Sequence, residues 1–130
     1  MLKGLIGAGI IGLFFFIGSF STAGAMVVAE GLITTAVVER APVDAIQNYP
    51  VSIGGLYCFT RVAGAVQGEP LTHVWLYEGR EMARIDLLVG AENWRTWSLK
   101  TFNPEWKGSW RVDIFDGAGK KLMSVPFTLI

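Results

Sequence analysis

The sequence predicts an all-β fold, an immunoglobulin-like antiparallel β-sandwich of about seven strands, preceded by one apolar N-terminal helix. Three observations lead there. After residue 30, short runs of β-branched and aromatic residues alternate with turn residues at a regular spacing. No apolar pattern of helical period and useful length interrupts them. Ahead of residue 30 the composition changes abruptly to an uncharged stretch rich in glycine and aliphatic residues.

That stretch comes first in the chain. Lys3 is followed by no charged side chain until Glu30, and as a helix the interval would reach about 39 Å at 1.5 Å per residue. It is long enough to cross a bilayer. With Lys3 and the amino terminus held inside, charge asymmetry places everything after Glu30 outside the cytoplasm. Gly4, Ala8 and Gly12 fall at i, i+4 and i+8, a small-residue stripe on which another transmembrane helix packs closely. The rival reading is a secretory signal, with an apolar core over residues 5–17 and the small residues Ala23-Gly24-Ala25 at a signal-peptidase spacing. The first reading anchors the chain in a bacterial cytoplasmic (inner) membrane with its domain in the periplasm; the second frees a periplasmic domain by cleavage near Ala25. The anchored form is the preferred expectation, dividing the chain into an anchor at 1–30 and an extracytoplasmic domain at 31–130.

Within the domain, the β-branched run Ile33-Thr34-Thr35-Ala36-Val37-Val38 predicts a first strand over residues 32–39. A looser stretch with Pro42, Asp44, Asn48 and Pro50 reads as a connector. Gly54-Gly55 opens a second strand over residues 56–62, closed by Gly64 and the Gly68-Glu69-Pro70 turn. Five more strands follow at 71–77, 82–88, 94–100, 109–115 and 121–129, parted by Glu78-Gly79, Gly90, Asn103-Pro104 and Asp116-Gly117 with Gly119. Trp110, Val112 and Ile114 alternate with Arg111 and Asp113, the period of a strand with one buried and one wet face. About a hundred residues suffice for one modest core and not two.

Several segments together carry a family resemblance: Leu56-Tyr57-Cys58-Phe59-Thr60; Thr72-His73-Val74-Trp75 with Gly79; Trp94-Arg95-Thr96-Trp97-Ser98 with Lys100; Gly108-Ser109-Trp110-Arg111-Val112; and Asp116 with Gly119-Lys120 and Phe127. In this order and spacing the chain resembles domain-of-unknown-function family 2914 of bacteria and archaea over most of residues 32–130. The resemblance implies a small β domain, often attached to membrane or exported chains, and implies no reaction. One departure is Trp75-Leu76-Tyr77, where members often carry a second aromatic directly after the tryptophan.

Composition narrows function by exclusion. Eleven Lys and Arg balance eleven Asp and Glu, and the charges alternate along the chain, so no basic stripe exists to follow a nucleic acid backbone. Cys58 is the only cysteine, which excludes an internal disulfide, a cysteine metal cluster and a two-cysteine redox motif. Its apolar context predicts a small buried hydrophobe. His73, the only histidine, has no nucleophile with an orienting acid and no spaced co-ligands, so a hydrogen-bonded structural role is expected. The carboxylates at Glu78, Glu81, Asp86, Glu92, Asp113 and Asp116 are spread over turns and wet strand faces, and no pair stands out for glycoside chemistry. Asp116-Gly117-Ala118-Gly119 reads as a hairpin turn, since it lacks the spaced oxygen ligands of a calcium loop.

The five tryptophans are expected mainly to fill the space between sheets, with Trp106, beside Pro104, Glu105 and Lys107, as the exception. Arg95, sharing a strand face with Trp97, is expected to stack on a neighbouring ring. Trp106, Arg95 and His73 are therefore the candidates for an interaction surface. No catalytic residue, cofactor or metal is expected. The function expected is a noncatalytic, membrane-anchored accessory or scaffold subunit contacting other membrane-protein subunits; the alternative is a secreted module binding a carbohydrate or cell-wall fragment through exposed tryptophans.

Overall fold

In the computed structural model, residues 25–130 are described, and all of their long elements are strands. In chain order these are β1 (Val27–Thr34), β2 (Val37–Val38), β3 (Ala41–Pro42), β4 (Asn48–Tyr49), β5 (Leu56–Ala63), β6 (Pro70–Tyr77), β7 (Arg80–Leu88), β8 (Trp94–Lys100), β9 (Gly108–Asp116) and β10 (Lys121–Leu129). One 3-10 turn, Val51–Ile53, lies between β4 and β5. The strands form a five-stranded sheet in the order β4-β10-β9-β6-β7, a three-stranded sheet in the order β1-β5-β8, and the small hairpin β2-β3. Every pairing is antiparallel except the short parallel one between β10 and β4.

Period-two patterning decides which side chains meet. From the large sheet, Leu71 and Trp75 of β6, Trp110, Val112 and Ile114 of β9, and Val125, Phe127 and Leu129 of β10 point into one core. From the small sheet, Ile33, Leu56, Cys58 and Val62 meet them. Trp75 and Trp110 are fully buried and lie edge-on or stacked against Phe102 and Phe127. Without a disulfide these large rings supply the apolar area that holds so small a domain together.

Two expectations about organisation need correction. The first strand runs from Val27 to Thr34, earlier than the predicted 32–39, so it begins inside the segment assigned to residues 1–30. A bulge between Val28 and Glu30 reverses its alternation, bringing Val28, then Gly31 and Ile33, onto the inner side. A side chain at Gly31 would meet the sulfur of Met123 at 2.7 Å, so the glycine permits close approach of β1 to β10. The β-branched run does not continue as a strand because the Thr34 and Thr35 hydroxyls turn to Asp44. The second correction concerns Asp113, expected on a wet face. It is 4% exposed.

Among the described residues, no helix is long and apolar enough to cross a membrane. The apolar interval from residue 4, with the Gly4, Ala8 and Gly12 stripe, lies almost wholly outside them. Cys58 is fully buried as expected, and burial pushes its thiol up to about 12. The Asp116 turn also forms as expected: its carboxylate accepts from the amides of Ala118 and Lys120, and Gly119 takes a positive φ of 86°.

Candidate functional site

The groups best suited to chemistry lie at the centre of the core. His73 projects inward from β6 between Leu71 and Trp75. Thr60 of β5 and Ser98 of β8 reach it from the opposite sheet, because both occupy inward positions of neighbouring strands. The His73 Nε2 lies 2.8 Å from Thr60 Oγ1, and Nδ1 lies 2.7 Å from Ser98 Oγ. The Trp75 indole N–H donates to the same serine oxygen at 3.1 Å. His73 and Thr60 are 0% exposed and Ser98 is 5% exposed.

A neutral imidazole fits this cage in either tautomer, since each hydroxyl can donate to one ring nitrogen or accept from it. A charged imidazolium fits badly, because no carboxylate is hydrogen-bonded to the ring. Burial lowers the His73 pKa to about 4. The Ser98 to His73 distance is that of a nucleophile and its base, yet no carboxylate orients the ring and no substrate reaches it. The network instead ties β6 of one sheet to β5 and β8 of the other. His73, expected among the surface candidates, is removed from any surface by its burial.

Arg95 occupies a different place. It lies on the outer face of β8, beside a strap made of residues 35–44 that is bonded to the small sheet near its tip and at its base. At the base of the strap, Asp44 accepts from the Thr34 hydroxyl at 2.6 Å, the Thr35 amide at 2.8 Å and the Thr35 hydroxyl at 2.6 Å. These bonds, that from Thr34 foremost, hold its carboxyl below the usual aspartate value. At the tip, Arg40 donates to the Arg95 carbonyl at 3.0 Å while Arg95 donates back to the Arg40 carbonyl at 3.2 Å. The Arg40 guanidinium sits 4.8 Å from the Trp94 ring centroid and 5.7 Å from that of Trp97. Phe59 is 1% exposed although it faces outward from β5. It stacks on Trp97 at 6.3 Å, and register places it between the Thr34–Tyr57 and Arg61–Arg95 pairs beside which the strap is fastened.

Glu39 and Arg40 form the tip with φ of 52° and 62°, a left-handed pair that non-glycine residues adopt at a cost. The predicted stacking for Arg95 is thus performed by Arg40, a residue of the stretch read as a connector. Only an arginine opposite two tryptophans in space signals it, and 55 positions separate it from its partner in sequence.

Trp106 lies at the far end of the domain, half-buried against Trp110 at 6.1 Å, with the Lys100 ammonium 4.9 Å from its ring. The structure therefore brings none of His73, Arg95 and Trp106 together. On the outer face of the large sheet, Asp113 is enclosed by Arg111 at 3.1 Å, Lys121 at 3.5 Å and the Ser124 hydroxyl. Burial raises its pKa, but the Ser124 hydrogen bond and the two cations outweigh that and hold the carboxyl below its ordinary value.

Two open clefts mark the surface. One, of about 650 Å³, is lined by residues including Thr72, Arg84, Asp86 and Phe115; the other, of about 580 Å³, lies between β1 and β10 and includes Ile46 and Pro126. Neither is lined by His73 or Ser98. Among the described residues, no three His, Cys, Asp or Glu side chains group to hold a metal ion.

A comparison with protein families bears on this arrangement, because one family model, described as a protein of unknown function (DUF2914), covers a single continuous stretch from the start of β6 to the end of β10. Residues 68–129 match the DUF2914 family. The resemblance read from the sequence is borne out there, and the Leu56 to Thr60 run lies outside the matched span. The DUF2914 segment supplies β6, β7, β9 and β10 of the large sheet and only β8 of the small one. Strands β1 and β5, the latter carrying Thr60, complete its core from residues 25–67. No curated protein matches the chain.

Proposed function

We propose that this chain is a noncatalytic accessory subunit, anchored in a bacterial inner membrane by its N-terminal apolar segment, whose periplasmic domain makes protein contacts within a larger membrane complex. The domain reads as an immunoglobulin-like sandwich. Strands β1, β5 and β8 correspond to A, B and E of that fold, and β6, β9 and β10 to C, F and G, with β7 as an added edge strand.

The observation that carries the proposal is the division between interior and surface. The two hydroxyls at nucleophile-to-base distance from His73, those of Thr60 and Ser98, are sealed in the core with it, whereas the strap and the edge strand beneath it expose Val38, Val43 and Leu99 to 56%, 52% and 50%. Exposed aliphatic side chains on a hairpin docked at a sheet edge suit a protein partner better than a small polar ligand. The carbohydrate alternative is less well supported, because a cation already lies over each half-buried tryptophan ring, Arg40 over Trp94 and Trp97 and Lys100 over Trp106.

The triple substitution of Val38, Val43 and Leu99 to Asp tests this reading in the full-length chain. Native purification from gently solubilised membranes is expected to lose the proteins that accompany the unsubstituted chain, with thermal unfolding unchanged. Equal recovery of the same companions would contradict the strap face as the contact.

A further inference from the structure

The end of the sandwich where the chain enters carries three exposed aliphatic side chains, one in a loop and two at strand ends. Register places Val27 of β1 opposite Ala63 of β5, and Pro70 of β6 opposite Leu88 of β7. The loops at this end are tied to one another: the Ala65 amide donates to the Glu92 carbonyl at 3.1 Å, the Gly68 amide to the Val89 carbonyl at 2.7 Å, and the Val89 amide to the Glu69 carbonyl at 3.0 Å. Gly64 lies so close to the incoming chain that a side chain there would meet the Ala25 carbonyl at 2.8 Å. Met26, Ala65 and Val89 are buried beneath. Around this end Val27, on the outer face of the small sheet, Val66, in the loop between β5 and β6, and Leu88, on the outer face of the large sheet, are 54%, 62% and 70% exposed. The packing of the fold does not require large aliphatic side chains at these exposed positions.

We propose that this end is a membrane-docking surface, with Val27, Val66 and Leu88 resting in the interfacial region of the bilayer. The inference rests on the anchored reading above and deepens it by naming the lipid surface as a partner of the folded domain. Its occupant is argued from the incoming chain: Ala25 lies against Gly64 at this end, and residues 4–24 immediately upstream carry no charge. A bilayer spanned by that segment would lie against this end. The remaining exposed aliphatics, Val38, Val43, Leu99 and Ile130, lie on the strap, on the far half of β8 and at the carboxyl end.

The charged groups around the patch are mixed. Glu69 turns back to accept from the Val66 amide at 3.1 Å, Asp116 caps its own turn, Arg84 and Asp86 line the cleft beside Leu88, and Glu92, Lys120 and Lys121 are exposed at the same end. Docking is therefore driven by apolar partition and depends weakly on salt.

Site-specific labels on the full chain test this. Cys58 is the only cysteine and is fully buried, so Val66→Cys and Leu88→Cys each accept an environment-sensitive fluorophore selectively, with Glu105→Cys at the far end as a control. The labelled chain is reconstituted into vesicles of phosphatidylethanolamine and phosphatidylglycerol, with or without headgroup-proximal nitroxide lipid. The expected result is several-fold stronger quenching at residues 66 and 88 than at residue 105. Equal, weak quenching at all three positions in chains that float with the vesicles would overturn the docking surface while leaving the anchor intact. Chains that do not float at all would overturn both.

Discussion

His73 shows how one residue serves stability without serving chemistry. Its two ring nitrogens are matched by Thr60 and Ser98, and Ser98 is shared with the Trp75 indole. Ser98→Ala removes the oxygen that His73 and Trp75 share and leaves both buried ring nitrogens unmet, a loss of about 1–3 kcal/mol in denaturant unfolding. The pH dependence has a defined sign. The folded pKa near 4 lies below the ordinary 6.5, so between those values the unfolded chain binds a proton that the folded chain refuses. The contribution is fully present above pH 6.5 and is lost as pH falls toward 4, by about 3 kcal/mol. Chemical denaturation at stepped pH should show this slope, and His73→Gln should flatten it, no other histidine being present. Asp44 and Asp113 have lowered values, so the stability each contributes is lost at still lower pH, as pH falls through its folded pKa. A wild-type profile flat from pH 7 to 4.5 would contradict the buried neutral imidazole.

At the scale of elements, the strap is the part that sequence patterning did not reveal. Most strands were legible because their faces alternate cleanly, as in β9, where Trp110, Val112 and Ile114 are all buried. The first strand was misplaced for two reasons: a bulge breaks its alternation, and Ile33-Thr34-Thr35 continues into β-branched residues that belong to the strap. Asp113 misled because alternation reports which face a side chain takes, not how closely neighbouring long side chains cover it. Arg40 was invisible because its role depends on tertiary proximity to Trp94 and Trp97. Arg40→Ala is expected to cost about 0.5–1 kcal/mol and to raise amide exchange in residues 36–43 more than in β9. Glu39→Asn should act in the opposite direction, stabilising by a few tenths to about 1 kcal/mol, because asparagine tolerates the left-handed conformation at this turn. Unchanged exchange in the strap of the Arg40 variant would show that Asp44 alone holds it.

The whole molecule joins a DUF2914 segment that supplies most of one sheet to an N-terminal portion that supplies two strands of the other and the strap. Its interior uses polar groups as ties between sheets, and its surface places aliphatic side chains on the strap and around the incoming chain. The proposed role, a membrane-held subunit that contacts other proteins, rests on that distribution together with the uncharged stretch of residues 4–29. The most direct test is the intact mass of the chain recovered from gently solubilised membranes, measured together with the composition of the particle that carries it. The account predicts a chain retaining residues 1–24, in fixed ratio to other membrane proteins. A soluble, monodisperse monomer beginning near Ala25 would contradict it.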